Sequence, residues 1–176
     1  MSHFDEAIKS VLVHEGGWCD YPEDPGGETN FGISMMFIRN QGLTAKDLGL
    51  ADMQPGCLRK LSLDTAKALY RKYFWDPFPY DKIDNYRIAA KLFDTAVNIS
   101  PRNAHRMLQR VLGDDLKVDG VLGPKTISAT NAATPDLLLA SYCQAHADYY
   151  KALAARKPEM KIFLKGWLER ARWPLS

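Results

Sequence analysis

No apolar run in the 176 residues approaches the ~20 needed to cross a bilayer, so no membrane-spanning helix and no stable membrane insertion are expected. The opening MSHFDEAIKS carries Asp5 and Glu6 where a secretory signal would have basic and then apolar residues. A chain made in the cytoplasm without a signal peptide is therefore expected. Cysteine is scarce: Cys19, Cys57 and Cys143 lie far apart with no CxxC, which points to reduced thiols rather than a disulfide frame or a zinc site. GxSxG, a Walker loop and HExxH are all missing, and His3, His14, His105 and His146 are scattered. The loop acids Asp20, Glu23, Asp24 and Glu28 lack the alternate-residue spacing of an EF-hand, so neither a metal nor a cofactor is expected. Without a helix-turn-helix or zinc signature, nucleic acid is not an expected partner.

What is present is ordinary globular material, 46% hydrophobic and 25% charged, long enough for one domain or one with a small appendage. Charge is unevenly placed. Through Asn98 there are 11 Lys and Arg against 14 Asp and Glu; from Ile99 onward there are 12 against 7. Arg102, Arg106 and Arg110 form a row at helical spacing, and Lys151 to Ser176 holds seven basic residues against two Glu. Either the second half meets an anionic partner or these are solvated faces.

Periodicity predicts helices. Phe4, Ala7, Ile8, Val11 and Leu12 make one apolar stripe that Gly16-Gly17 stops, with Ser2 and Asp5 spaced to begin a capping box. Trp18 to Ile33 is rich in turn formers and reads as a loop or small hairpin. Helical spacing resumes at Ser34, and residues 41–61 have no clear assignment. Ser62 is placed to cap a helix with Ala66, Leu69, Tyr70, Tyr73 and Phe74 on one face. The next carries Ile88, Ala89, Leu92, Phe93, Ala96 and Val97. Ser100-Pro101 is placed as N-cap and N1 of another, with Ala104, Met107, Leu108, Val111 and Leu112 inside. A long helix from Thr134 is expected to face Leu138, Tyr142, Ala145, Tyr149 and Leu153 inward. A last one from Pro158 bears Met160, Phe163, Leu164, Trp167, Leu168 and Ala171. The expected fold is mainly α with a small β-hairpin or loop element near the N-terminus.

Glu15 continues the first stripe, which puts a carboxyl on the inward face of the helix's last turn, at the negative end of the helix dipole. A carboxyl held in apolar surroundings resists ionisation and can serve as a general acid toward a glycosidic oxygen. A second carboxylate across the cleft then steadies an oxocarbenium-like transition state or activates water. The alternative is a helix-end residue that reaches solvent past Gly16.

The string HEGGWCDYPEDPGGETNFGIS resembles the opening signature of glycoside hydrolase family 108: EGG and an aromatic, a short acidic spacer, DPGG, then TNxGI. ALYRKYFWDPF, LFDTAVNISP, MLQRVLG, VDGVLGPKT and FLKGWLERA are similar to the rest of that family, including its C-terminal peptidoglycan-binding-like region. The resemblance implies a lysozyme-like helical fold, with residues 1–98 as catalytic region and 99–176 as a peptidoglycan-binding-like helical region packed with it. It also implies an N-acetylmuramidase of phage endolysin or prophage type. Glu15 is then the catalytic acid, with Asp24 and Thr29 in an order similar to the Glu-x8-Asp-x5-Thr of phage lysozymes but one residue shorter. Asp24 either takes a catalytic role or holds its own Pro-Gly-Gly turn, and Asp20 is the next carboxylate in line. Trp18, Asn30, Gly32 and Asn98 are the implied substrate contacts, although Trp18 and Asn98 have equally good structural roles. The VDGVLGPKT segment reads as scaffolding, since a tight turn accounts for Asp119 and Gly120. Where relatives carry Ser-Gly, this chain has Ile99-Ser100.

The expected activity is hydrolysis of the β-1,4 bond between N-acetylmuramic acid and N-acetylglucosamine, by a monomer that meets peptidoglycan only after release from the cytoplasm. A lytic transglycosylase, or a non-catalytic wall-binding or secretion-assisting protein, are the alternatives.

Overall fold

The stripe at 4, 7, 8 and 11 folds as helix α1, His3–Glu15, which buries Phe4, Ala7, Ile8 and Val11. It ends at Gly16, whose φ of +71° a residue with a side chain rarely adopts. The computed structural model describes residues 3–20, 27–113 and 115–173; the expected capping residue Ser2 lies outside them, as do Glu23 and Asp24. Among the described residues the chain is mainly α, with nine α-helices and one two-stranded antiparallel sheet, as its sequence predicts. By compactness it divides into two units, one of Ile8–Tyr73 and one of Met1–Ala7 with Phe74–Ser176.

In the Ile8–Tyr73 unit, strands β1 (Thr29–Asn30) and β2 (Ile33–Ser34) pair with Thr29 opposite Ser34 and Asn30 opposite Ile33. The two-residue turn between them, Phe31-Gly32, has φ of +50° and +75°. Positive φ at both positions suits the right-handed twist of a hairpin, but Phe31 takes it without a glycine's freedom. Ser34 then caps α2 (Met35–Asn40), its Oγ accepting from the Phe37 N–H at 3.1 Å. The unassigned stretch 41–61 contains α3 (Ala45–Leu48), opened by a Thr44–Asp47 capping box, and a 3-10 turn at Cys57–Lys60. Helix α4 (Leu63–Tyr70) is capped by Ser62 as expected, and buries Ala66, Leu69 and Tyr70.

The other unit contains α5 (Tyr86–Ile99), α6 (Pro101–Leu112), α7 (Pro124–Ala132), α8 (Pro135–Arg156) and α9 (Leu164–Arg172). Phe4, Trp75, Tyr80 and Phe93 pack edge to face or tilted, with ring centroids 5.2–6.2 Å apart. His105 joins them: its Nδ1 donates to the Gly120 carbonyl at 3.1 Å, leaving Nε2 to accept from the Tyr80 hydroxyl at 2.9 Å. Burial pushes this imidazole down to about 4, so it is neutral at physiological pH and the tautomer is fixed by the carbonyl. Gln109 holds the VDGVLG turn by donating to the Asp119 carboxylate and the Val121 carbonyl and accepting from the Gly120 N–H, a structural role for that segment.

Four expectations need correction. Helix α5 is buried nearly all round rather than on one face: Lys91, Asp94 and Thr95 are enclosed with the apolar residues. Their polar groups find partners inside, Asp94 with Arg170 and the Lys91 ammonium on the Arg170 carbonyl. Helix α8 buries Leu139, Cys143, His146, Tyr150 and Ala154 together with Leu138 and Tyr142, so its inward stripe is turned one residue on from the expected one. His146 can be inside because it is uncharged, pushed down to about 3 mainly by burial. The last helix begins only at Leu164, after a 3-10 turn over Pro158–Phe163, and that tighter winding leaves Phe163 51% exposed. Finally, Ser100 occupies the N-cap position of α6 but makes no capping bond through its side chain.

Ser100 has φ +83° and ψ 147°, a conformation essentially reserved for glycine. Ser100→Gly is expected to raise stability by about 1 kcal/mol, because strain of about 1–3 kcal/mol is relieved while the unfolded chain gains freedom. Thermal melts of the two proteins check it.

Candidate active site

Glu15 closes α1 half-buried, and the hairpin tip comes up against it. A Cβ placed on Gly32 would stand 2.7 Å from Glu15 Oε2 and 2.8 Å from Glu15 Cβ, and would collide with the Tyr70 hydroxyl. Only glycine fits there, on space as well as on backbone angle. The room left by its missing side chain is taken by Glu15 and Tyr70. From α4, the buried Tyr70 donates its hydroxyl hydrogen to the Phe31 carbonyl at 2.9 Å. Three sequence-distant elements, the end of α1, the hairpin turn and the end of α4, therefore converge on one carboxyl.

Around this point the loop is held by a second carboxyl that the sequence marks only as one of the loop acids. Glu28 is 5% exposed and accepts from the Trp18 indole N–H at 3.2 Å, the Gly56 N–H at 3.2 Å and the Cys57 thiol at 3.4 Å. Burial first, and then this carboxyl, pushes the Cys57 thiol up, so it stays protonated and inert. Trp18 is half-buried, and the Arg59 guanidinium carbon lies 3.7 Å over its ring centre. A sugar stacking on that face would have to displace Arg59.

The remaining expected site residues separate by place. Thr29 bridges Cys19 through two backbone bonds of 2.8 Å, and its hydroxyl points to the Gly27 carbonyl at 3.5 Å. Asn30 is buried, and its amide donates to the Leu58 carbonyl at 2.7 Å, tying the hairpin to the 3-10 turn. Asp20 is exposed and lines a cleft of about 260 Å³ with Glu28, Met35, Arg39 and Met53. Asp24 lies outside the described residues. Asn98 belongs to the other unit, where its side-chain oxygen accepts from the Tyr150 hydroxyl. Among the described residues no group of three His, Cys, Asp or Glu is arranged to hold a metal ion. Tyr70 was missed because its spacing reads as an ordinary apolar position; the available signal was that its face of α4 carries a hydroxyl at its inner end.

The described geometry is a half-buried carboxyl at a helix end, packed against a hairpin turn that only glycine can make there. Residues 8–99, which include Glu15, the hairpin, Tyr70 and Asn98, match the family described as glycosyl hydrolase 108. Residues 103–172 match a domain described as a predicted peptidoglycan domain. No curated protein sequence matches the chain. The solved structure of Brucella abortus SagA superposes with a TM-score of 0.75 at 29% identity, covering 96% of this chain and 88% of that one. The chain thus belongs to the glycosyl hydrolase 108 family, and is a glycoside hydrolase of lysozyme-like, mainly α fold that acts on peptidoglycan.

Proposed function

We propose that the protein is an N-acetylmuramidase, cleaving the β-1,4 bond between N-acetylmuramic acid and N-acetylglucosamine with Glu15 as general acid. The observation that carries this is the packing of the Glu15 carboxyl against the hairpin turn at Gly32. Glu15 gives its proton to the glycosidic oxygen as the bond from the muramic acid C1 to that oxygen breaks. The electron pair leaves with the N-acetylglucosamine hydroxyl, and positive charge develops on the C1 side. Asp24 supplies the second carboxylate, which steadies that charge or takes a proton from the attacking water, and Thr29 helps to orient the water. Water adds at C1: one of its two protons restores the protonated Glu15, directly or through Asp24, the other stays on the new C1 hydroxyl, and a reducing end is released.

Trp18 borders the sugar path, and Asn30 and Gly32 act by fixing the shape of the hairpin that the polymer meets. The enzyme works as a monomer, made in the cytoplasm and admitted to the wall by a holin-like lesion or another dedicated route, as a bacteriolytic endolysin would be. Residues 1–98 carry the chemistry and 99–176 the hold on the wall.

Mass spectrometry of muropeptides from digested sacculi tests the assignment. Reducing N-acetylmuramic acid ends are expected. Products with 1,6-anhydro ends would make the protein a lytic transglycosylase instead, since that reaction uses the substrate's own hydroxyl in place of water.

A further inference from the structure

Phe31 holds a φ of +50° that non-glycine residues seldom adopt, in a two-residue turn between strands of two residues each. So short a hairpin does not hold its own tip in place; a lone two-stranded ribbon is at best marginally stable. Tyr70 supplies a hold from outside. Its hydroxyl, on a ring 1% exposed, donates to the Phe31 carbonyl, and the same hydroxyl and the Glu15 carboxyl lie against one face of Gly32. Any shift of the tip therefore moves the surface that Glu15 rests on.

We propose that Tyr70 is the positioning residue for Glu15, clamping the hairpin tip so that the carboxyl stands at a fixed place for proton transfer. The proposal rests on Glu15 being the proton donor. Proton transfer needs hydrogen-bond reach to the leaving oxygen, and a misplacement of about 1 Å can cost on the order of a hundredfold in rate. A buried aromatic ring ending in a hydroxyl suits this role, since the core grips the ring while the hydroxyl reaches a backbone carbonyl 39 residues away.

The test compares Tyr70→Phe with Glu15→Gln on soluble peptidoglycan fragments, measuring kcat, KM and melting temperature. Tyr70→Phe keeps the ring and removes the hydroxyl that holds the Phe31 carbonyl. Its kcat is expected to fall roughly 10- to 100-fold while KM stays within about twofold, a split that simple loosening of the fold would not give. A kcat within about twofold of the unaltered protein, with Glu15→Gln inactive, overturns the role of Tyr70 and leaves the acid standing. An active Glu15→Gln overturns the acid and this proposal with it. Should Tyr70→Phe not fold, Gly32→Ala against Gly42→Ala decides. Both glycines have positive φ, but a Cβ at Gly42 meets nothing within 4 Å. Only Gly32→Ala is expected to lower kcat, and equal kcat in the two variants overturns the proposal.

Discussion

Replacing Arg170 with alanine is expected to lower the free energy of unfolding by about 3–5 kcal/mol. The guanidinium is nearly enclosed and grips Asp94 with Nη2 at 2.9 Å and Nε at 3.1 Å from the same carboxylate oxygen. Asp94 is fully buried. A second cation, Lys91, stands 3.9 Å from the other oxygen, and that ammonium already donates to the Arg170 carbonyl at 2.7 Å. Burial holds Lys91 below its ordinary range, more strongly than Asp94 draws it back up, so it is a weak substitute for the guanidinium. Alanine would leave a carboxylate without solvent and without its guanidinium. Against a typical total of about 5–15 kcal/mol, and at roughly 2–4 °C of melting temperature per kcal/mol, the loss is about 10 °C.

An exposed pair gives the contrast. Arg87 and Asp136 meet at 2.8 Å, yet Asp136 is 83% exposed, so Asp136→Ala should cost less than about 1 kcal/mol. Urea melts of both single variants measure the difference. Combining Asp94→Leu with Arg170→Met is expected to restore most of the loss, because an apolar pair has no charge to desolvate. Equal losses from Arg170→Ala and Asp136→Ala would contradict the account. The pair also joins α5, inside the segment matched to glycosyl hydrolase 108, to α9, inside the segment matched to the peptidoglycan domain. The two sequence families thus meet within one compact unit.

The readable and unreadable parts of this chain divide by physical cause. Helix α1 and its end were legible because a strict apolar stripe meets Gly16-Gly17, and the odd residue on that stripe, Glu15, stood out. The caps at Ser34 and Ser62 were legible from local chemistry. Helix α3 was equally local, since Thr44 and Asp47 exchange the bonds of a capping box, but its four residues are too few to show a period. The inward stripe of α8 was misjudged because His146 counts as polar until burial makes it neutral. The buried Lys91 and Asp94 of α5 were hidden for a related reason: a charge enters a core only with its partner, and Arg170 stands 76 residues along the chain from Asp94.

At the site the same limit applied. Resemblance and periodicity both pointed to Glu15 from sequence alone. Tyr70 appeared only as an apolar-face position and Glu28 only as one of the loop acids, because what matters about them is a contact across 39 residues in one case and up to 29 in the other. Gly32 was expected as a substrate contact; in the fold its open side receives Glu15 and Tyr70.

Activity of Glu15→Gln on sacculi tests the central claim most directly. The amide keeps the shape and much of the hydrogen bonding of the carboxyl but has no proton to give. General acid catalysis contributes about 10²–10⁴-fold, so release of muropeptides is expected to fall by at least a hundredfold. Stability should not fall with it. A carboxylate at the C-terminal end of α1 opposes the helix dipole, so the neutral amide is expected to leave the melting temperature unchanged or raise it. A folded Glu15→Gln protein that is inactive is the predicted result; a folded one that still digests sacculi at the rate of the unaltered enzyme would contradict the account.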